Sequence, residues 1–198
     1  CVGGYRSLNA APERSFMERI INAITLEHRQ DSLDFVETVF REYQDVAEGR
    51  LVRSLVEEIR SKPFYVPDLE LIMTDEGGRL LGYVMFSRFE LEGRYGDELL
   101  LLSPAAVRTD LQRQHISREL IEYGFREAER LGFRAVLVEG GPCNYRARGF
   151  VTAADHGILP GKTVHLPHID CLMVKELVPG ALEHIHGTVE YDCYQTLL

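Results

Sequence analysis

Val107-Arg108-Thr109-Asp110-Leu111-Gln112-Arg113-Gln114-His115-Ile116-Ser117-Arg118-Glu119-Leu120-Ile121 is the stretch from which the fold can be read. A hydrophobic run broken by Pro104 enters it, and an amphipathic helix leaves it. Ile116, Leu120, Ile121, Phe125, Ala128 and Leu131 recur at helical spacing, while Arg118, Glu119, Glu122, Arg126, Glu127 and Arg130 fill the opposite face. A strand, a polar turn and a helix opening in direct succession leave unpaired N–H groups at the positive end of the helix dipole. Such an end suits an anion such as phosphate.

Working outward, Ile20 to Leu26 reads as a first strand, and Asp31 as the N-cap of a helix carrying Leu33, Val36, Val39, Phe40 and Tyr43. Leu51, Val52, Leu55, Val56 and Ile59 predict a second helix, closed by Pro63. Leu69 to Thr74 and Arg79 to Leu91, joined by Asp75-Glu76-Gly77-Gly78, read as a hairpin. A turn at Gly93 to Gly96 leads to the strand Glu98 to Val107. The predicted helix over about 114–131 is followed by a strand at Arg134 to Glu139, a short helix near Asn144, and strands at Phe150 to Ala153 and Ile169 to Leu177. This order implies an α/β fold with one mixed, mostly antiparallel sheet flanked by helices.

The chain has 198 residues, enough for one well-buried domain but tight for two. Its composition, 45% hydrophobic and 27% charged, predicts a soluble globular protein, and no apolar run reaches membrane-spanning length. A net charge of -9 argues against a general nucleic-acid binder and is compatible with a cationic partner. Cys1, Cys143, Cys171 and Cys193 form no CxxC pair, so reduced thiols and a cytoplasmic location are expected. Residues 1 to 16 carry Arg6, Glu13 and Arg14 without a hydrophobic stretch and do not read as a signal peptide; Met17 is an alternative start. The expected organisation is an extension over 1–18, a domain over 19–178, and a segment over 179–198 that packs on or completes it.

Two further stretches carry chemistry. In Leu99-Leu100-Leu101-Leu102-Ser103-Pro104-Ala105-Ala106-Val107, the proline cannot donate to a sheet ladder and marks an edge or a bulge. After Ala135-Val136-Leu137-Val138 and Gly140-Gly141-Pro142 comes Asn144-Tyr145-Arg146-Ala147-Arg148-Gly149-Phe150. Taken together, these segments resemble the acyl-coenzyme-A site of the GNAT superfamily of N-acetyltransferases. The element order and the tail Glu176-Leu177-Val178-Pro179-Gly180-Ala181-Leu182…Gly187-Thr188-Val189 are similar to a bacterial subgroup of it.

The resemblance implies splayed central strands, with the pantetheine arm beside the interrupted strand and backbone N–H groups of Ala105, Ala106 and Val107 facing the cofactor and the oxyanion. The family pattern Gln/Arg-x-x-Gly-x-Gly/Ala falls on Gln112, Arg113, Gln114, His115, Ile116 and Ser117, whose amides would cradle the pyrophosphate. His115 departs from it by standing at the first glycine, a position that implies close backbone approach or an unusual φ. By the same resemblance Tyr145 is the general acid for the thiolate leaving group, and Asn144 and Arg146 are cofactor contacts. Glu98 is the first carboxylate to consider as base, with Glu90 and Glu139 as alternatives.

His184 and His186, if on a strand, would share a face, but no ligand spacing supports a metal and none is expected. Cys143 lacks a His partner and reads as a small packed thiol. The expected activity is transfer of an acetyl group from acetyl-CoA to an unidentified amine acceptor by direct attack in a ternary complex. No nucleic-acid or membrane partner is expected, and a homodimer is compatible. A non-catalytic CoA-binding sensor of the same fold stays open.

Overall fold

The computed structural model describes residues 17–198. The expected start-site and extension features in 1–16, including Cys1, lie outside the described residues. The first strand, β1 (Ile20–Ala23), is shorter than expected, and α1 (His28–Tyr43) begins earlier. Asp31 is therefore not the N-cap. It sits in the first turn, where its carboxylate still complements the helix dipole. The next helix, α2 (Val46–Arg60), opens a turn before its apolar stripe, because the Asp45 side chain accepts from the Glu48 N–H at 2.8 Å.

The hairpin forms from β2 (Glu70–Thr74) and β3 (Leu80–Arg88), and β4 (Leu99–Val107) pairs antiparallel with β3. The helix α3 (Ile116–Arg130) makes the crossover that delivers β5 (Ala135–Glu139) parallel to β4. The chain continues through α4 (Pro142–Tyr145), β6 (Val151–Thr152), β7 (Ile158–Pro160), β8 (Leu172–Glu176) and β9 (Gly187–Val189). The main sheet runs β1-β2-β3-β4-β5-β8-β6 with β4–β5 its one parallel pair. A small parallel pair, β7–β9, was not expected from the sequence. Pairing between two three-residue segments separated by a long loop leaves no local periodicity to read.

Both faces of the sheet are covered, which is why Leu99 to Leu102 is apolar without alternation. Leu99 and Leu101 pack with α1 and α2, whereas Leu100 and Leu102 pack with α3. Gly124 lets α3 lie close to β3, since a Cβ there would stand 2.2 Å from the Phe86 ring.

One buried polar cluster ties the α1–α2 layer to the sheet. Glu70 on β2 is fully buried, and its Oε1 accepts from Arg60 Nε and Nη2 at 2.9 and 2.5 Å and from the Tyr83 hydroxyl at 2.8 Å. Its other oxygen accepts from the Tyr65 hydroxyl. Arg60 also donates to the Arg29 carbonyl at 3.0 Å and to Ser32 Oγ at 2.7 Å, so most of the fork is occupied. Burial comes first in raising the Tyr65 and Tyr83 phenols, and the Glu70 carboxylate raises them further.

Candidate active site

The site begins with a mismatch in register. Val84 pairs with Ala105 and Phe86 with Leu102, so Ser103 and Pro104 both stand opposite Met85. This bulge accommodates the proline within a central strand and bends β4. On its other side β4 pairs with β5 only through Leu99, Leu100 and Leu101. Beyond that point the two strands part, while Val138 and Glu139 stay paired to β8. The expected splayed centre is present.

The turn after β4 ends at a helix whose first N–H groups are free. No described residue accepts a hydrogen bond from the backbone N–H groups of 112 to 118, and the α3 N-cap has no side-chain bond. His115 occupies that N-cap at φ 63° and ψ 12°, and Arg113 also has φ 63°. The backbone takes the left-handed turn that a glycine would enter without penalty, and the histidine tolerates it. His115→Gly should therefore leave stability within about 1 kcal/mol of the parent, whereas His115→Val should cost about 1–2 kcal/mol, read by urea unfolding.

A cleft of about 450 Å³ lies at this helix mouth, bounded by Gln112, Arg113, His115, Ile116, Ser117 and, across it, Asn144. Gln114 stands aside, its carbonyl accepting from Arg19 Nη1 at 2.8 Å, which braces the turn from β1's side. Ala105 faces the gap between β4 and β5, Val107 borders the helix-mouth cleft, and the Ala106 side chain is buried in the core. Arg146 is turned away, donating to Thr152 Oγ1 at 2.9 Å with Asp170 at 3.8 Å. Arg148, rather than Arg146, lines the cleft. It reaches Ser117 Oγ at 3.2 Å and the Asn144 carbonyl, and its buried Nε has no partner among the described residues. The sequence offered both arginines within one motif, and the helical turn between them decides which faces the cleft.

Tyr145 ends α4 beside the parted strands. Gly140 makes room for it, since a Cβ there would lie 2.4 Å from the ring, and Phe150 meets the ring edge-on at 5.5 Å. Burial raises its phenol above the ordinary value, an effect that nearby Arg148 partly offsets. A second cavity of about 360 Å³ opens between Tyr145, the Leu102–Ala105 bulge and α2. Glu139 borders this cavity, and its Oε2 accepts from the Tyr191 hydroxyl at 2.8 Å.

Glu98 is not brought to Tyr145. It precedes β4 at the strand's far end, roughly 20 Å from Pro104 by strand rise, with His184 Nε2 at 2.7 Å and Arg134 Nε at 3.7 Å. Glu90 shares that remote hollow. His184 and His186 do not share a strand face, because His184 closes the turn Ala181–Glu183 and His186 precedes β9. Cys143 is exposed rather than packed, and Cys143, Cys171 and Cys193 are free. Among the described residues no helix is long and apolar enough to cross a membrane.

The chain is 30% identical over 154 residues to the uncharacterized N-acetyltransferase YhbS of Escherichia coli strain K12, covering 76% of this chain and 84% of that one. The crystal structure of E. coli YhbS in complex with CoA superposes with a TM-score of 0.73 at 25% identity, over 94% of this chain and 93% of that one. A Brucella melitensis GNAT acetyltransferase in complex with acetyl-CoA gives 0.68 at 20% identity, over 92% and 99%. Residues 17–155 match the model of the acetyltransferase (GNAT) family, a span that includes the bulge, the helix mouth and Tyr145. The chain belongs to the GNAT family of acetyltransferases.

Proposed function

We propose that the protein transfers an acetyl group from acetyl-CoA to a primary amine by direct attack in a ternary complex. The observation that carries this reading is the row of unpartnered N–H groups at 112–118 opening beside the gap between β4 and β5. The complexes of E. coli YhbS with CoA and of the Brucella enzyme with acetyl-CoA support the same cofactor here. A chain of net charge -9 gathers Arg113, Arg118, Arg148 and His115 around this one cleft, which suits phosphate.

In this mechanism the amine nitrogen forms a bond to the acetyl carbon and the carbon–sulfur bond breaks. Glu139, directly or through water, takes the amine proton, and Tyr145 protonates the departing thiolate. The backbone N–H groups of Ala105 and Val107, which point away from β3, face the oxyanion, whereas that of Ala106 points into the ladder with Tyr83. Glu139 replaces Glu98 as the base because it borders the same cavity as Tyr145. Free thiols fit a cytoplasmic setting.

Titration calorimetry with acetyl-CoA, followed by free-thiol release with an amine panel, tests the reading. Ser117→Asp should weaken acetyl-CoA binding at least about tenfold by setting a carboxylate beside the phosphates. Equal affinity would mean that the diphosphate lies elsewhere. Binding without thiol release from any amine would favour the sensor reading. His115 already takes the left-handed conformation, so the turn keeps its shape without the family's glycine.

A further inference from the structure

We infer that the acceptor is an amine on an uncharged, apolar body, chosen by a cavity wall that the C-terminal segment supplies. The inference rests on the acetyl-transfer reading and adds the acceptor class to it. On one side the cavity beside Tyr145 is walled by Phe40, Leu51, Val52 and Leu55 from α1 and α2. On the other it is walled by Tyr191, Tyr194 and Leu197, all beyond β9. Leu51 and Leu197 are 36% and 38% exposed, so the apolar character extends to the mouth instead of ending in a polar rim.

The charged residues lining this space are both acidic. Glu48 opens α2, and Glu139 ends β5. No Lys, Arg or His among the described residues lines it. A carboxylate or phosphate on the acceptor would thus be desolvated against apolar walls with no cation to pair it and two like charges nearby. An ammonium group meets the opposite field and is led toward Glu139. The volume, about 360 Å³, is at the small end for ligand pockets and limits the body to a compact one.

The C-terminal wall is fixed in place. Glu58 of α2 accepts from the Gln195 and Thr196 N–H groups at 2.5 and 2.8 Å, and Glu190 accepts from the Lys162 and Thr163 N–H groups at 2.9 Å each. Tyr194 sits edge-on to Phe64 at 5.4 Å and to Tyr191 at 6.1 Å. Such a wall selects by shape and polarity without rearrangement.

The experiment compares three amines by thiol release at saturating acetyl-CoA: 2-phenylethylamine, its carboxylated counterpart phenylalanine, and ethanolamine, which lacks the apolar body. 2-Phenylethylamine should exceed each of the others in kcat/KM by at least about tenfold. Leu51→Arg, at an exposed position, should lower the value for 2-phenylethylamine and raise that for phenylalanine, while calorimetric acetyl-CoA affinity stays unchanged. If phenylalanine or ethanolamine matches 2-phenylethylamine while thiol is released, the acceptor inference is overturned and the transfer reading stands. Thiol release from other amines but from none of these three overturns the acceptor inference alone, and no release from any amine overturns both.

Discussion

Tyr145→Phe should lower kcat by about 10²–10⁴-fold, equivalent to about 3–5 kcal/mol of transition-state stabilisation, with acetyl-CoA affinity unchanged. The asymmetry follows from where the proposed mechanism puts the hydroxyl to use. In the ground state the thioester sulfur carries no charge and gains little from a phenol. As the carbon–sulfur bond breaks, the thiolate needs a proton, and Tyr145 is the phenol at the parting of β4 and β5. Burial holds this phenol above its ordinary value of 10.0, so it remains protonated across the neutral range. Loss of rate through its ionisation should therefore begin only above that value. Glu139→Gln keeps an acceptor for the Tyr191 hydroxyl yet cannot take a proton, so it should lower kcat/KM while acetyl-CoA affinity stays unchanged. Unaltered turnover of Tyr145→Phe, with chemistry rate-limiting in single-turnover kinetics, would remove the acid role.

The second large effect concerns stability. Glu70→Gln or Arg60→Met should each destabilise the fold by about 3–5 kcal/mol in urea unfolding, because each leaves its partner's charge buried and unpaired. Side-chain exposure is 8% for Arg60 and 0% for Glu70, so water does not compensate. A loss under about 1 kcal/mol would mean that the pair is hydrated in solution. The same cluster sets an alkaline limit. Tyr65 and Tyr83 are raised in the folded state, so their contribution is present in full below the unfolded phenol value of 10.0. It is lost as pH rises beyond that value toward the folded-state titration. Stability at pH 11 should accordingly fall below that at pH 9, and less so in a Tyr65→Phe variant.

These predictions draw on different sources. The apolar stripe from Ile116 to Leu131 and the proline in β4 were legible from spacing, and with the hairpin turn at Asp75 to Gly78 they specified the element order and the mixed sheet. Tyr145 came into view as a candidate through its motif, and the helix mouth through its polar turn. Glu139 was one of three carboxylates in view, and spacing along the chain could not rank them.

Local chemistry determined what depends on neighbours in sequence: which segments are helix or strand, where β4 breaks, and that 112–118 enters a helix with its amides free. Backbone hydrogen bonding and side-chain periodicity act over a few residues, so one chain suffices to read them. Tertiary structure alone decided which arginine turns to the cleft, that Glu98 lies a strand length away, and that residues 191–197 close the cavity over α2. Those outcomes depend on contacts between segments up to 138 positions apart, as between Glu58 and Thr196, and packing rather than local pattern selects them.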